Sequence, residues 1–386
     1  SAGAPDPIVT LDPARLFESR PGESTVDGQQ NAAGRLGDGA TVVVHVAGRG
    51  GVPDDAASAV LNLTATGAAG PGFVTVWPCT SVQPVASNLN YRAGETVANT
   101  VVAQLDENGD VCLYALRATD LIVDVNGYAD VGGLETLNPA RLLDTRSAHP
   151  TIDGRQAGTG ALPAQGEVRI QVTGRGAVPI DATAAVLNVI ATDPAGDGYL
   201  TVYPCGTTPN ASMVNYTAGS TATNSVVAKL DPAGGVYVFT HAAAHIVVDV
   251  NGFARATTGV SAVVPARLVD TRAGGWQSVD GDQAGGGLVQ GGTSLRVRVA
   301  GRGGVPVGVG TVMLNLVALD AQTAGYLTAY PCSAVPPAAS NLNFEANRIV
   351  ANSAIVQVDE QGDVCLFAYA DTNVLVDVTG YVEPRL

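Results

Sequence analysis

A small set of charged residues returns at fixed places along this 386-residue chain, and these side chains have the most chemistry to offer. Asp27, Asp153 and Asp280 each sit in a Val/Ile-Asp-Gly turn, and Asp124, Asp249 and Asp377 each sit in Val-Asp-Val. Arg15, Arg141 and Arg267 follow Pro-Ala, while Arg49, Arg175 and Arg302 lie in Gly-Arg-Gly. Two carboxylates flanking a glycosidic bond make a glycoside hydrolase, so Asp27 with Asp124 defines the enzyme reading that a linear sequence allows. Internal pairing is the preferred reading. Asp124 and its copies lie on apolar strands and need a guanidinium if buried, whereas Asp27 heads a turn whose amides its carboxylate can accept from. A polar binding groove at Asp27, Asp153 and Asp280, or a calcium ion on Asp27 and nearby carbonyls, are the ligand-binding alternatives. No other cofactor is expected.

Asparagine recurs too. Asn62, Asn90 and Asn99 return as Asn188, Asn215 and Asn224 and as Asn315, Asn343 and Asn352. An asparagine inside a strand either bridges backbone groups when buried or reads hydroxyls when exposed; Asn90, Asn215 and Asn343 are the binding candidates. Core packing is expected for the recurring aromatics Phe73, Trp77, Tyr91, Tyr114 and Tyr128. Trp276, in Gly274-Gly275-Trp276, has no counterpart and is the candidate for ligand contact. His45, His149, His241 and His245 do not recur. No G-x-S-x-G or H-E-x-x-H signature is present, and Gly48-Arg49-Gly50-Gly51-Val52-Pro53 lacks the Lys-Ser/Thr of a phosphate loop, so it reads as a turn.

Cys79 and Cys112 are 33 positions apart, as are Cys332 and Cys365, and both pairs are expected to be disulfides. Such pairs favour an oxidising compartment. Cys205 keeps the first position, but Tyr237 occupies that of its partner. It is expected to be a buried, unpaired thiol, with an intermolecular disulfide as the alternative. Without C-x-x-C spacing no metal site is expected.

These residues are positioned by a repeat. Pro13-Ala14-Arg15-Leu16 returns at Pro139 and at Pro265 at a constant pitch, and Trp77-Pro78-Cys79 aligns with Tyr203-Pro204-Cys205 and Tyr330-Pro331-Cys332. Each unit has about 125 residues, which is domain-sized. The division is 1–130, 131–256 and 257–386, with linkers at 130–137 and 255–264. Short runs rich in β-branched residues, such as Thr41–Val46, Ala59–Thr66, Phe73–Trp77, Val97–Leu105, Val111–Tyr114 and Leu121–Val125, predict strands. Asp106-Glu107-Asn108-Gly109 and its copies predict hairpin turns. The expected fold is all-β: three tandem β-sandwich modules of jelly-roll or Greek-key type, with a barrel as runner-up. They read as touching beads with their own cores, and a threefold packing is one arrangement open to them.

Composition excludes some functions. Acidic residues outnumber basic ones 35 to 20, giving a formal net charge of -15, and Lys229 is the only lysine, so nucleic acid would be repelled. No apolar run approaches the length of a membrane-spanning helix. Ser1-Ala2-Gly3-Ala4-Pro5 suits the mature end left by signal-peptide removal, although a cloning boundary would look the same. A secreted, extracellular or cell-surface location is expected.

Pro139-Ala140-Arg141-Leu142-Leu143-Asp144-Thr145-Arg146, together with Gly-Arg-Gly-x-Val-Pro, Tyr-Pro-Cys, Ser-Asn-Leu-Asn-Tyr and Val-Asp-Val-Asn-Gly-Tyr, resembles a repeat common in secreted actinobacterial proteins. The resemblance covers essentially the whole chain and implies an accessory module, often tandem and sometimes appended to cell-wall hydrolases or peptidases. The first unit departs with Phe17-Glu18-Ser19-Arg20, and the second lacks its second cysteine. The expectation is a non-catalytic protein acting in surface attachment (adhesion) or assembly through multivalent modules. A carbohydrate- or cell-wall-binding lectin-like protein and a structural subunit of a filament or coat are the alternatives. The expected partners are cell-wall or extracellular polysaccharide, or further copies of the chain.

Overall fold

The computed structural model of the protein describes residues 7–129, 133–275, 277–337 and 340–383; Trp276 lies outside the described residues. Each repeat folds its β-branched runs into eight strands. The first supplies β1 (Val9–Glu18), β2 (Ala40–His45), β3 (Ser58–Thr66), β4 (Gly72–Pro78), β5 (Leu89–Tyr91), β6 (Val97–Gln104), β7 (Asp110–Ala115) and β8 (Asp120–Ala129). The second supplies β9 (Glu135–Asp144), β10 (Glu167–Gln171), β11 (Ala182–Thr192), β12 (Gly198–Tyr203), β13 (Val214–Tyr216), β14 (Thr221–Lys229), β15 (Gly235–Thr240) and β16 (His245–Arg255). A short 3-10 turn, Ala256–Thr258, leads into the third. That repeat supplies β17 (Val260–Asp270), β18 (Thr293–Arg298), β19 (Thr311–Leu319), β20 (Gly325–Pro331), β21 (Leu342–Phe344), β22 (Val350–Gln357), β23 (Asp363–Ala368) and β24 (Asn373–Val382).

The strands form six antiparallel four-stranded sheets. In the first repeat their orders are β1-β8-β3-β6 and β2-β7-β4-β5, and the other repeats copy both. The edge strands β5, β6, β13, β14, β21 and β22 meet at the centre: β5 adjoins β6 and β14, β13 adjoins β14 and β22, and β21 adjoins β22 and β6. These contacts close a ring from which the sheets radiate as blades.

The expectation of three tandem β-sandwich modules is therefore corrected. The chain is organised as six small four-stranded sheets in a six-bladed, propeller-like ring, with two blades from each sequence repeat. A sheet with one watered face alternates buried and exposed residues. β3 is instead buried at every position but its last, and β11 and β19 are almost continuously buried. Their second faces lie against neighbouring repeats.

Apolar residues from both sheets of a repeat meet in one cluster, with Leu61, Val76 and Leu113 in the first repeat and Leu187, Val202 and Val238 in the second. A further cluster crosses all three repeats: Val60, Val186 and Met313 join Val102, Val227 and Ile355, with Ile8, Leu134 and Val260 beside them. Each such side chain withdrawn from water contributes roughly 1.5–3 kcal/mol. Each repeat thus has a core of its own, as expected from the sequence, and the further cluster joins the three.

Two local findings differ from the sequence reading. Residues 135–137 and 260–264 belong to β9 and β17, so the connections are shorter than the expected linkers. The Pro-Ala-Arg-Leu stretch is itself strand: β1 slips register against β8 between Thr10 and Ala14, and the irregularity accommodates Pro13, which has no amide to donate. The Gly-Arg-Gly stretch is a turn for a steric reason. Gly50 holds φ at 58°, and a Cβ there would lie 2.9 Å from Val125 Cγ1.

Candidate functional site

The turn aspartates are engaged by the Gly-Arg-Gly arginines. Arg49 donates from Nε and Nη2 to Asp27 at 2.7 and 2.8 Å, and from Nη2 to the Leu16 carbonyl at 2.8 Å. Arg175 holds Asp153, and Arg302 holds Asp280, in the same fork. The arginines are buried while the carboxylates are partly open. Hydrogen bonding from Arg175 brings the Asp153 carboxyl down to about 2, with burial opposing and the Arg155 amide assisting. Asp27 and Asp280 are likewise held well below the usual carboxylate range.

The strand carboxylates have separate partners. Arg15 reaches Asp124 at 2.9 Å, Arg141 reaches Asp249 at 2.8 Å and Arg267 reaches Asp377 at 2.7 Å. A second carboxylate completes each cluster: Asp144 takes Arg141 and Arg146, and Asp270 takes Arg267 and Arg272. In the first repeat Glu18 plays that part toward Arg15 and Arg20, at 2.9 and 2.8 Å. The Phe-Glu-Ser-Arg departure therefore preserves the ion network. Asp27 and Asp124, the pair imagined as a glycosidase dyad, are each committed to a different guanidinium.

The asparagines tie the repeats together. Asn99 donates to Asn188 Oδ1 at 3.3 Å, Asn224 to Asn315 Oδ1 at 2.6 Å and Asn352 to Asn62 Oδ1 at 3.1 Å. The Oδ1 atoms of Asn99, Asn224 and Asn352 accept from the amides of Ser225, Ser353 and Thr100 in the following repeat. Asn188, Asn315 and Asn62 donate to the carbonyls of Ser87, Ser212 and Ser340 in the preceding one. Those serine loops also reach the ion clusters, since the Ser212 amide donates to Asp377 at 2.9 Å. Burial pushes the Asp249 carboxyl up, opposed by Arg141 and by the Ser87 amide. Buried amides paired this way avoid the cost of unmet hydrogen bonds.

Asn90, Asn215 and Asn343 behave differently: they are half-buried, bond Ser87, Ser212 and Ser340 of their own repeats, and line an axial pocket of about 70 Å³. Each lies opposite an aromatic residue in register, namely Phe73, Tyr199 and Tyr326. These rings pair with Tyr114, Phe239 and Phe367 at centroid distances of 6.1, 6.2 and 6.1 Å. All six are partly exposed, which corrects the expectation that core packing accounts for Phe73 and Tyr114. His241 and Tyr369 extend two of the pairs by stacking on Tyr199 and Tyr326. The i, i+2 spacing of 239 with 241 and of 367 with 369 was the available signal, because the alternation of a strand carried one residue past its end places both rings on one side.

A cleft of about 450 Å³ opens between the first and second repeats, with Phe73, Tyr114 and Asn90 on one side and Arg146, His149 and Thr192 on the other. Cys79 is joined to Cys112 and Cys332 to Cys365. Cys205 is free and exposed, not the buried thiol expected, while Tyr203 stacks on Tyr237 at 5.7 Å where the other repeats have their disulfides. No group of three or more His, Cys, Asp or Glu side chains suited to a metal ion occurs among the described residues.

No family model and no curated protein matches the chain. Among solved structures, a chain from the Sulfolobus Turreted Icosahedral Virus aligns over 91% of this chain and 85% of its own, at 8% identity and a TM-score of 0.19. A chain of an archaeal virus, described for its triple jelly roll fold and turret assembly, aligns over 100% and 99%, at 9% identity and a TM-score of 0.22. Superpositions this loose carry no argument about architecture or role.

Proposed function

We propose that the protein is a non-catalytic component of the cell exterior that works in surface attachment or assembly, presenting three copies of one surface from a single body. The observation that supports this most is the division of labour among the repeated residues. The arginines, aspartates and two of the three sets of asparagines are spent on pairing within and between repeats, while the partly exposed aromatic-asparagine faces return three times. Holding three weak contacts at fixed separations raises the effective concentration of the second and third, so avidity grows without better individual contacts. The two disulfides fit an extracellular setting.

The test is co-sedimentation of the full chain with insoluble polysaccharides and bacterial cell walls, paired with sedimentation velocity of the protein alone. Alanine at Phe73, Tyr199 and Tyr326, introduced singly and then together, is expected to weaken retention or self-association more steeply than in proportion to the faces removed. A chain that neither sediments with any surface nor self-associates sinks the reading.

A further inference from the structure

The cleft between the first and second repeats has two walls of different chemistry, and we propose that it is a binding site for neutral sugar units of an extracellular polysaccharide. This rests on the attachment reading and supplies its ligand. One wall is aromatic: Phe73 and Tyr114, tilted at 49°, offer ring surface to the apolar face of a pyranose. Beside them Asn90 uses Nδ2 on Ser87 Oγ at 3.2 Å, which leaves Oδ1 as an acceptor for a hydroxyl. The opposite wall belongs to the second repeat. Arg146 is fixed by Asp144 through Nε and Nη2, at 3.0 and 2.7 Å, and its Nη1 has no hydrogen bond among the described residues. His149 is exposed at the rim.

Size and charge narrow the ligand. About 450 Å³ lies within the range of small-molecule sites, whereas the axial pocket of about 70 Å³ does not. The guanidiniums of Arg141 and Arg146 are matched by the carboxylates of Asp144 and Asp249, so the cleft has no uncompensated positive charge to attract an acidic sugar. The net charge of -15 disfavours polyanions further. Polar groups on both walls favour a hydroxylated ligand over an apolar one. Since the first and second repeats supply one wall each, the site exists only where these two repeats pack together.

The experiment is calorimetric titration of the full chain with cellohexaose, chitohexaose and mannohexaose, with polygalacturonate as the acidic comparison. At least one neutral oligosaccharide is expected to bind saturably. Phe73→Ala is expected to weaken it about tenfold, the effect of losing roughly 1.4 kcal/mol of ring contact. Val85→Trp, which fills the cleft from an exposed position, is expected to abolish binding, and Val307→Trp, exposed on the third repeat, to leave it unchanged. Thermal melts establish that each variant folds. Equal affinity in the parent and both cleft variants, binding of polygalacturonate alone, or no binding by any of the four overturns the site. Retention on cell walls in those same cases leaves the attachment reading standing.

Discussion

At the scale of single residues, the pairing of Asp153 with Arg175 makes a pH prediction whose sign is fixed. The folded carboxyl titrates at about 2, below the ordinary value near 4, so between those values the unfolded chain binds more protons. Its contribution to stability is complete above about pH 4 and is lost as pH falls toward 2. Melting temperatures from pH 5 down to pH 2 are expected to fall in the parent protein and to fall less steeply in Asp153→Asn. The buried clusters predict a larger effect. Arg141→Leu leaves Asp249 without its guanidinium in a site closed to water, while Asp144 keeps Arg146, and removing one member of such a buried pair costs about 3–5 kcal/mol. Urea denaturation measures it, and Arg141→Leu with Asp249→Leu is expected to recover part of the loss.

At the scale of elements, β4 and β7 are stapled in the first repeat, and β20 and β23 in the third. In the second repeat, Tyr203 and Tyr237 stack between β12 and β15. Replacing Cys79 and Cys112 together by alanine is expected to cost about 2–4 kcal/mol by calorimetry, the usual worth of a disulfide closing such a loop. A thiol reagent added without denaturant is expected to label one site, the exposed Cys205. Strands carried by continuous β-branched runs, such as β3 and β6, were plain in the sequence. β1 was not, because its Pro13 and the slipped register hide the period of two on which strand reading depends. The roles of Asn62, Asn99 and their copies were equally hidden. Composition shows an amide inside a strand, but its partner lies in another repeat, and no local pattern reports on a contact that distant.

At the scale of the whole molecule, the same limit explains why the sequence left a threefold packing open but did not show six blades. The pitch of a repeat counts covalent units, whereas blades are counted by which edge strands meet, and β5 with β14 or β21 with β6 meet only in three dimensions. The cluster around Val60, Val186 and Met313 couples the repeats. Scanning calorimetry is expected to show one cooperative transition, with calorimetric and van't Hoff enthalpies in agreement. Val186→Asp, which places a charge in that cluster, is expected to break the coupling and separate the transitions.

Pro7, Gly133 and Gly259 converge at one pole of the ring. A Cβ on Gly133 would strike the Pro7 carbonyl, one on Gly259 would lie 3.4 Å from Pro7 Cγ, and the Glu383 backbone amide donates to the Gly259 carbonyl at 2.8 Å. Residues 7 and 383 thus lie together with the starts of the second and third repeats. The asparagine contacts make the unlinked junction between the third and first repeats equivalent to the two linked ones. Polypeptide order is therefore interchangeable: a circularly permuted chain, opened near Gly133 and sealed between residues 383 and 7, has every strand of the original in reach of its partners.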